Sequence, residues 1–345
     1  MPGLRIAMLV PPWYELPPRG YGGIELVVTE LIGALMRRGH EVTLFGAGTR
    51  TGTGAAFVTT RPDPQHTRIG QSLPELVHVA QADRLIDDGG FDVVHDHTSV
   101  GLVTAASRST PTVSTVHGCP TGELGDFLRA SSPAAGLVAI SHAQRRLGDG
   151  LDWAATVHHG LTVAGPARPE VGAGPVLWLA RFTPEKGPDL AIAACRAAAL
   201  PLVLAGKCGE PEEQRYLDEV IRPLLHPGVQ LVTNPPAVHY RELLSRARCL
   251  LLPVRWEEPF GLVMLEAMAA GTPVVALRRG AVGELVRDGE TGVVCDDPDH
   301  LADALHAAAG LDPAACTEHV RTRFSPDLMA QGYERVYRDR AACPR

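Results

Sequence analysis

Two carboxylates, Glu258 and Glu266, flank an apolar stretch in RWEEPFGLVMLEAMAAGTPVVA (255–276), and Pro259, Phe260 and Gly261 make a sharp turn after the first. Leu262, Leu265, Met268 and Ala269 recur at the spacing of one helix face, so a helix is predicted to begin near Gly261. The loop from Arg255 to Phe260 then runs into a helix N-terminus, where unpaired backbone N–H groups and the macrodipole favour an anion. Glu258 sits just before that end, and Glu266 falls about two turns inside it. Carboxylates around an anion-binding helix end suit a ligand whose phosphates are flanked by hydroxyls, as in a sugar nucleotide.

Cations that could meet those phosphates are few. Of 32 basic residues only Lys186 and Lys207 are lysines, and both follow predicted strands, in RFTPEKG and LAGKCGE. Arg181, five residues before Lys186, could grip phosphate oxygens in a fork while the lysine adds a compact charge. An R-x4-K pair is common by chance, and Lys207 reads equally as a solvated loop residue. Nearer the N-terminus, the loop PPWYELPPRGYGGIE is too long for the tight G-x-G-x-x-G turn of a dinucleotide site. Gly20, Gly22 and Gly23 at a helix start still suit close backbone approach to a phosphate or sugar.

A polar group gathers at predicted strand ends in the first half: His95, Asp96 and His97, then His117 in TVHG, then Ser141 and His142. His95 and His97 share a strand face. These residues read as the lining of a substrate groove rather than as metal ligands, because no third ligand stands at a recognisable spacing. Cys119 beside His117 has nothing to orient it as a nucleophile. His158 and His159 mark a domain junction, with a structural role as open as ligand contact.

The elements that must position these groups alternate regularly. Strands are predicted over 5–10, 41–47, 92–97, 112–118 and 136–141, then over 175–181, 201–206, 229–233, 249–254 and 272–277, separated by helical segments. Near-continuous apolar strands of this kind form parallel sheets covered on both faces. The expected fold is α/β, with two doubly wound Rossmann-like domains: residues 1–160, residues 161–325, and a C-terminal helix, 326–345, returning to the first. That helix shows Leu328, Tyr333, Val336 and Tyr337 at helical spacing. The Pro/Gly-rich stretch Gly160 to Pro175 reads as the linker. Ligands of open parallel sheets bind beyond the carboxyl ends of the strands, so a central cleft is the expected site. Three long first-domain loops, Pro11 to Gly23, Thr49 to Pro74 and Thr121 to Pro133, carry no readable signature.

The 345 residues carry a net charge of −7 and 45% hydrophobic residues, which gives no support to nucleic-acid binding. No apolar run approaches the roughly 20 residues of a membrane span, and Met1 to Val10 lacks the features of a signal peptide, so a cytoplasmic protein is expected. Seven cysteines without a C-x-x-C pair argue for reduced thiols rather than a zinc site.

Taken together, E-x7-E at Glu258 and Glu266, GYGGIE, VHG at His117 and R-x4-K at Arg181 and Lys186 resemble the retaining glycosyltransferases of the GT-B fold, glycosyltransferase family four, over essentially the full chain. The resemblance implies that Glu258 holds donor-sugar hydroxyls and Glu266 the ribose hydroxyls. It implies backbone contacts from Phe260, Gly261 and Leu262 to sugar and diphosphate, with Gly22, Gly23 and Lys207 on the donor side. Arg181 and Lys186 would neutralise the leaving group, His117 would bind the sugar near the reacting carbon, and His95 and His97 would lie on the acceptor side. The implied reaction moves a sugar from a UDP- or GDP-type donor to a hydroxyl acceptor, a small natural product or a glycan or glycolipid precursor, without metal or other cofactor. Ala180 stands where many relatives have Gly, 233–236 where many have a Gly-containing turn near the base, and His159 where many have Asn. A sugar-nucleotide epimerase or hydrolase on the same scaffold, and a non-catalytic sugar-nucleotide sensor, are the rival readings. A nicotinamide dehydrogenase is disfavoured by the missing G-x-G-x-x-G.

Overall fold

The computed structural model describes residues 3–18, 20, 22–49, 51–163, 165 and 174–342. Most of the expected linker, residues 164 and 166–173, lies outside the described residues, as does Cys343. The chain divides into two compact units, one of Met1–Gly160 with Pro326–Arg345, the other of Leu161–Ser325.

In the first unit the strands are β1 (Arg5–Leu9), β2 (Glu41–Ala47), β3 (Ala56–Arg61), β4 (Val93–Asp96), β5 (Thr112–Val116), β6 (Gly136–Ala139) and β7 (Trp153–Thr156). In the second they are β8 (Val176–Leu179), β9 (Leu202–Gly206), β10 (Val229–Thr233), β11 (Leu250–Leu252), β12 (Val274–Leu277) and β13 (Gly292–Cys295). Among the described residues these pair in parallel into sheets of order β3-β2-β1-β4-β5-β6-β7 and β10-β9-β8-β11-β12-β13. Both are doubly wound, reversing direction between β1 and β4 and between β8 and β11. Central strands are buried almost throughout; in the second sheet they are apolar on both faces, as in the VLWL of β8 and the LLL of β11, whereas β4 (VVHD) and β5 (TVSTV) of the first bury polar side chains as well.

Three strands were not expected from sequence, their apolar runs being too short to stand out: β3 (AFVTTR), β7 (WAAT) and β13 (GVVC). Each is an edge strand, and β3 is half-buried to exposed along its length. An edge has one neighbour and less cover, so its side chains need not be apolar. For the same reason the stretch 49–74 is not a plain loop, since it holds β3 and the start of the helix Ser72–Asp87. The stretch 121–133 is mostly the helix Gly122–Ser131.

The C-terminal helix, Pro326–Ala342, packs on the first unit. Tyr333 and Tyr337 are fully buried and Val336 is buried, whereas Leu328 is exposed. Each buried aromatic contributes about 2 kcal/mol. A charge lock closes the contact: Arg38 Nε and Nη2 donate to the Glu334 carboxylate at 2.5 and 3.0 Å, and His40 Nε2 lies 3.0 Å from it. The Arg38 hydrogen bond draws the Glu334 carboxyl down from 4.5 to about 2. A depressed carboxyl stabilises the fold above its unfolded pKa and loses that contribution as pH falls through the folded one. Glu334→Gln is therefore expected to cost on the order of 2 kcal/mol at pH 7. Urea titrations should show the gap to wild type closing between about pH 4.5 and pH 2.

Candidate functional site

In the second unit the chain leaves the sheet at its reversal point through two loops, one after β8 and one after β11. The first carries Arg181 and Lys186, and the second carries the segment from Arg255 to Gly261. They meet at Lys186 Nζ, which donates to Glu258 Oε2 at 2.6 Å. The same oxygen accepts from Trp256 Nε1 at 3.0 Å, and the lysine ammonium sits 4.5 Å from the centre of the Trp256 ring. Glu258 is buried and Lys186 and Trp256 are half-buried, so the group is shielded without being closed off.

The loops are held together by Arg255. Its guanidinium forks onto Asp189 at 2.8 and 2.6 Å and reaches the Pro184 carbonyl at 2.9 Å, while its backbone N–H donates to Glu185 O. Gly187, at φ 66°, lets the first loop turn into the helix Pro188–Ala197 beside Pro253, whose carbonyl oxygen an added Cβ would meet at 2.2 Å. Arg181 is held more loosely, 3.9 Å from Glu185 and 3.8 Å from the buried Glu213. Lys207, just past β9, pairs with Glu210 at 2.7 Å.

Gly261, at φ 79°, caps the helix Leu262–Ala269, which begins where the apolar spacing placed it. Phe260 is buried, and Gly261 and Leu262 are half-buried at the helix N-terminus. Inside the helix Glu266 accepts from Tyr240 Oη at 2.7 Å. Burial pushes the Glu266 carboxyl up to about 7, against the pull of that hydrogen bond and of Arg241. The turn after β10 contains Asn234 at φ 51°, a conformation that Asn tolerates as Gly does. Its side chain exchanges two 2.9 Å hydrogen bonds with the Cys208 backbone, so it ties together the loops after β9 and β10.

In the first unit, His95, His97, His117 and His159 form a row of rings, with successive centroids 4.0, 5.2 and 5.5 Å apart. His97 Nδ1 lies 2.9 Å from His117 Nε2. Burial holds the half-buried His117 at about 4 and the other three well below the usual histidine range, so all four rings are neutral near pH 7. His95 corrects the acceptor-side expectation: it is fully buried, with Nε2 on Thr115 and Nδ1 on Tyr337, and it belongs to the seat of the C-terminal helix. His97 is likewise buried, and it reaches outward only through His117. Ser141 is a helix cap, accepting from Gln144 N, rather than a groove residue. Asp96 is committed to Arg108 and Thr98.

Gly22 and Gly23 stand at the start of the helix Gly23–Arg37, where a Cβ on Gly22 would meet Pro18 at 2.7 Å and Glu25 at 3.1 Å. Glu25, which sequence reasoning passed over, is buried in the first turn, and burial raises it to about 7. Tyr240, Trp256, Arg255 and Gly280 were also missed. No motif singled them out.

Comparison with known proteins places these features in context. Residues 172–311 match the family model described as "Glycosyl transferases group 1", and residues 21–147 match "Glycosyltransferase Family 4". An alpha-maltose-1-phosphate synthase of Mycobacterium tuberculosis (strain ATCC 25618 / H37Rv) is 31% identical over 92% of this chain and 92% of its own. The crystal structure of AviGT4, a glycosyltransferase involved in avilamycin A biosynthesis, superposes with a TM-score of 0.76 at 26% identity, covering 98% of both chains. Anabaena Alr3699/HepE, solved in complex with UDP and glucose, shares the fold with a TM-score of 0.72 at 21% identity, over 96% of this chain and 98% of that one.

Proposed function

The chain is a glycosyltransferase of group 1, family four, with the GT-B fold, and on that basis we propose that it transfers a hexose, with retention, from a nucleoside diphosphate sugar to a hydroxyl acceptor. The observation that carries this reading is the Lys186–Glu258 contact, which joins the cation motif to the carboxylate motif at a helix N-terminus. Lys186 and Arg181 then face the diphosphate, Glu258 the sugar hydroxyls, and Glu266 the ribose. The N-terminal N–H groups at Phe260, Gly261 and Leu262 complete the anion site, with Lys207 beside it. The second unit is read as the donor domain and the first as the acceptor domain, with His117 supplying a neutral hydrogen bond to the sugar and Gly22 and Gly23 a close backbone approach.

In the transfer, the acceptor oxygen bonds to the anomeric carbon and the diphosphate leaves with the bonding pair and takes up the acceptor proton. Negative charge therefore grows on the phosphate side, where Lys186, Arg181 and the helix end are fixed in advance. These charges do the work a divalent cation does elsewhere, so the reaction is read as metal-independent. UDP is the first nucleotide to try, given the UDP-bound structure of the Anabaena relative, and a soluble natural product, with the enzyme in the cytoplasm, is the first class of acceptor.

The test is to supply UDP-, GDP- and ADP-hexoses with a panel of hydroxyl acceptors and look for a new glycoside by mass spectrometry. Donor consumed to free or altered sugar, with no glycoside from any acceptor, would instead show a hydrolase or epimerase.

The same site gives a pH signature. A ribose clamp needs the Glu266 carboxylate, so donor affinity is expected to weaken as pH falls through about 7. Tyr240→Phe removes the hydrogen bond that favours the charged form. The midpoint of the Kd–pH curve should therefore move upward, with a loss of about fivefold at pH 7 and little change at pH 9. An unmoved midpoint would show that Glu266 does not meet the donor.

A further inference from the structure

We infer that Trp256 is a specificity-determining residue that holds the sugar-facing carboxylate and the phosphate-facing ammonium through two different parts of one indole. The inference rests on the assignment of Glu258 to the sugar and Lys186 to the diphosphate. The indole N–H donates to Glu258 Oε2 at 3.0 Å, and the ring face lies 4.5 Å from Lys186 Nζ. Both partners converge on one carboxylate oxygen, since Lys186 Nζ is itself 2.6 Å from Oε2.

Without Trp256, Lys186 would be the one remaining side-chain donor to that oxygen among the described residues, and a ligand phosphate that drew the ammonium away would leave the carboxylate unanchored. With Trp256, the carboxylate keeps a donor that no phosphate competes for, because an indole N–H two residues away is tied to the same turn. Its second oxygen then keeps a fixed direction toward a sugar hydroxyl. The ring face meanwhile attracts the ammonium without neutralising it, so the charge stays available to an anion. Trp256 is half-buried, whereas Trp13, Trp153 and Trp178 are buried. Trp178 also touches the site, its Nε1 donating to the Lys186 carbonyl at 2.9 Å, but it is fully buried, so Trp256 is the tryptophan that a ligand here would meet directly.

The two contacts can be separated by substitution. Trp256→Phe keeps an aromatic face for Lys186 and removes only the N–H, and Trp256→Leu removes both. Wild type is first given UDP-, GDP- and ADP-glucose by calorimetry, and the tightest binder and its nucleoside diphosphate are carried forward. For Trp256→Phe the nucleoside diphosphate should bind within about threefold of wild type, while the sugar nucleotide loses about tenfold. For Trp256→Leu the nucleoside diphosphate itself should weaken by about fivefold. Emission excited at 295 nm should change when the nucleoside diphosphate is added to wild type, and most of that change should be lost in both variants, where Trp178 on the Lys186 carbonyl is the remaining reporter.

Equal losses for the two ligands in Trp256→Phe, or no loss for either, would overturn the inference while leaving the site assignment in place. Binding of none of the three sugar nucleotides, or unaltered binding in Lys186→Ala and Glu258→Gln, would remove the assignment and the inference with it. Thermal unfolding of each variant within a few degrees of wild type shows that a loss is local rather than a loss of fold.

Discussion

Lys186→Ala is expected to lower kcat/KM for the sugar-nucleotide donor by about two to three orders of magnitude, the loss seen when one fixed stabiliser of developing charge is removed. The ammonium is placed by four features: the 3-10 turn Pro184–Lys186, the left-handed Gly187 behind it, the Glu258 carboxylate and the Trp256 ring. Little reorganisation is left for the moment of reaction, which is why its removal should show in kcat and not only in KM. The substitution also leaves the buried Glu258 with one fewer partner, and some stability should be lost with it. Lys186→Ala/Glu258→Gln separates the two effects. The uncharged amide needs no counter-charge, so the double variant should recover stability while its activity stays low. Lys186→Arg keeps the charge but brings a planar fork where a compact ammonium sits between a carboxylate and a ring, and it should recover at most a tenth of wild-type activity. Steady-state kinetics and thermal unfolding on the same samples check all three. Wild-type turnover in Lys186→Ala would show that the diphosphate is stabilised elsewhere.

How much of this was legible in the chain follows from where each signal lives. β8, β9, β11 and β12 are buried on both faces, so their burial is written as unbroken apolar runs. β3, β7 and β13 lie at sheet edges, and their apolar runs are too short to stand out. Glu258, Gly261 and Glu266 could be read because turn chemistry and helix spacing act within about a dozen residues. The partners of these residues could not. Tyr240 reaches Glu266 from 26 positions away, and Asp189 reaches Arg255 from 66. Such contacts depend on which strands the topology makes neighbours, and no local pattern records them. The histidines show the converse error. Strand periodicity rightly put His95 and His97 on one face, with ring centroids 4.0 Å apart. It could not say that Tyr333 and Tyr337, from a helix more than 200 residues later, cover that face and make His95 part of the core.

Gly280→Ala carries the other large effect, at a residue with no chemistry of its own. Its φ is 56°, and an added Cβ would stand 2.1 Å from the Glu258 carbonyl oxygen and 2.4 Å from its backbone nitrogen. Those are backbone atoms, which cannot swing aside as a side-chain tip can. Two hydrogen bonds pin the same contact: Ala281 N–H to Glu258 O at 2.9 Å, and Gly280 N–H to Glu257 Oε2 at 2.6 Å. The methyl group must therefore push the turn, and Glu258 with it, away from Lys186. Stability should fall by about 3 kcal/mol, from the left-handed backbone and the clash together. The fraction that folds should lose more than a hundredfold in kcat/KM, because a shift of about 1 Å at a positioned group costs that much. Gly289→Ala supplies the comparison. Gly289 has a similar φ of 76° but nothing within 4 Å of the added Cβ, so it should show the backbone cost alone, about 1 kcal/mol, with normal kinetics. If Gly280→Ala and Gly289→Ala behave alike, the turn after β12 has no part in holding Glu258. If only Gly280→Ala loses activity, a glycine outside both sequence motifs sets the position of the carboxylate inside one of them.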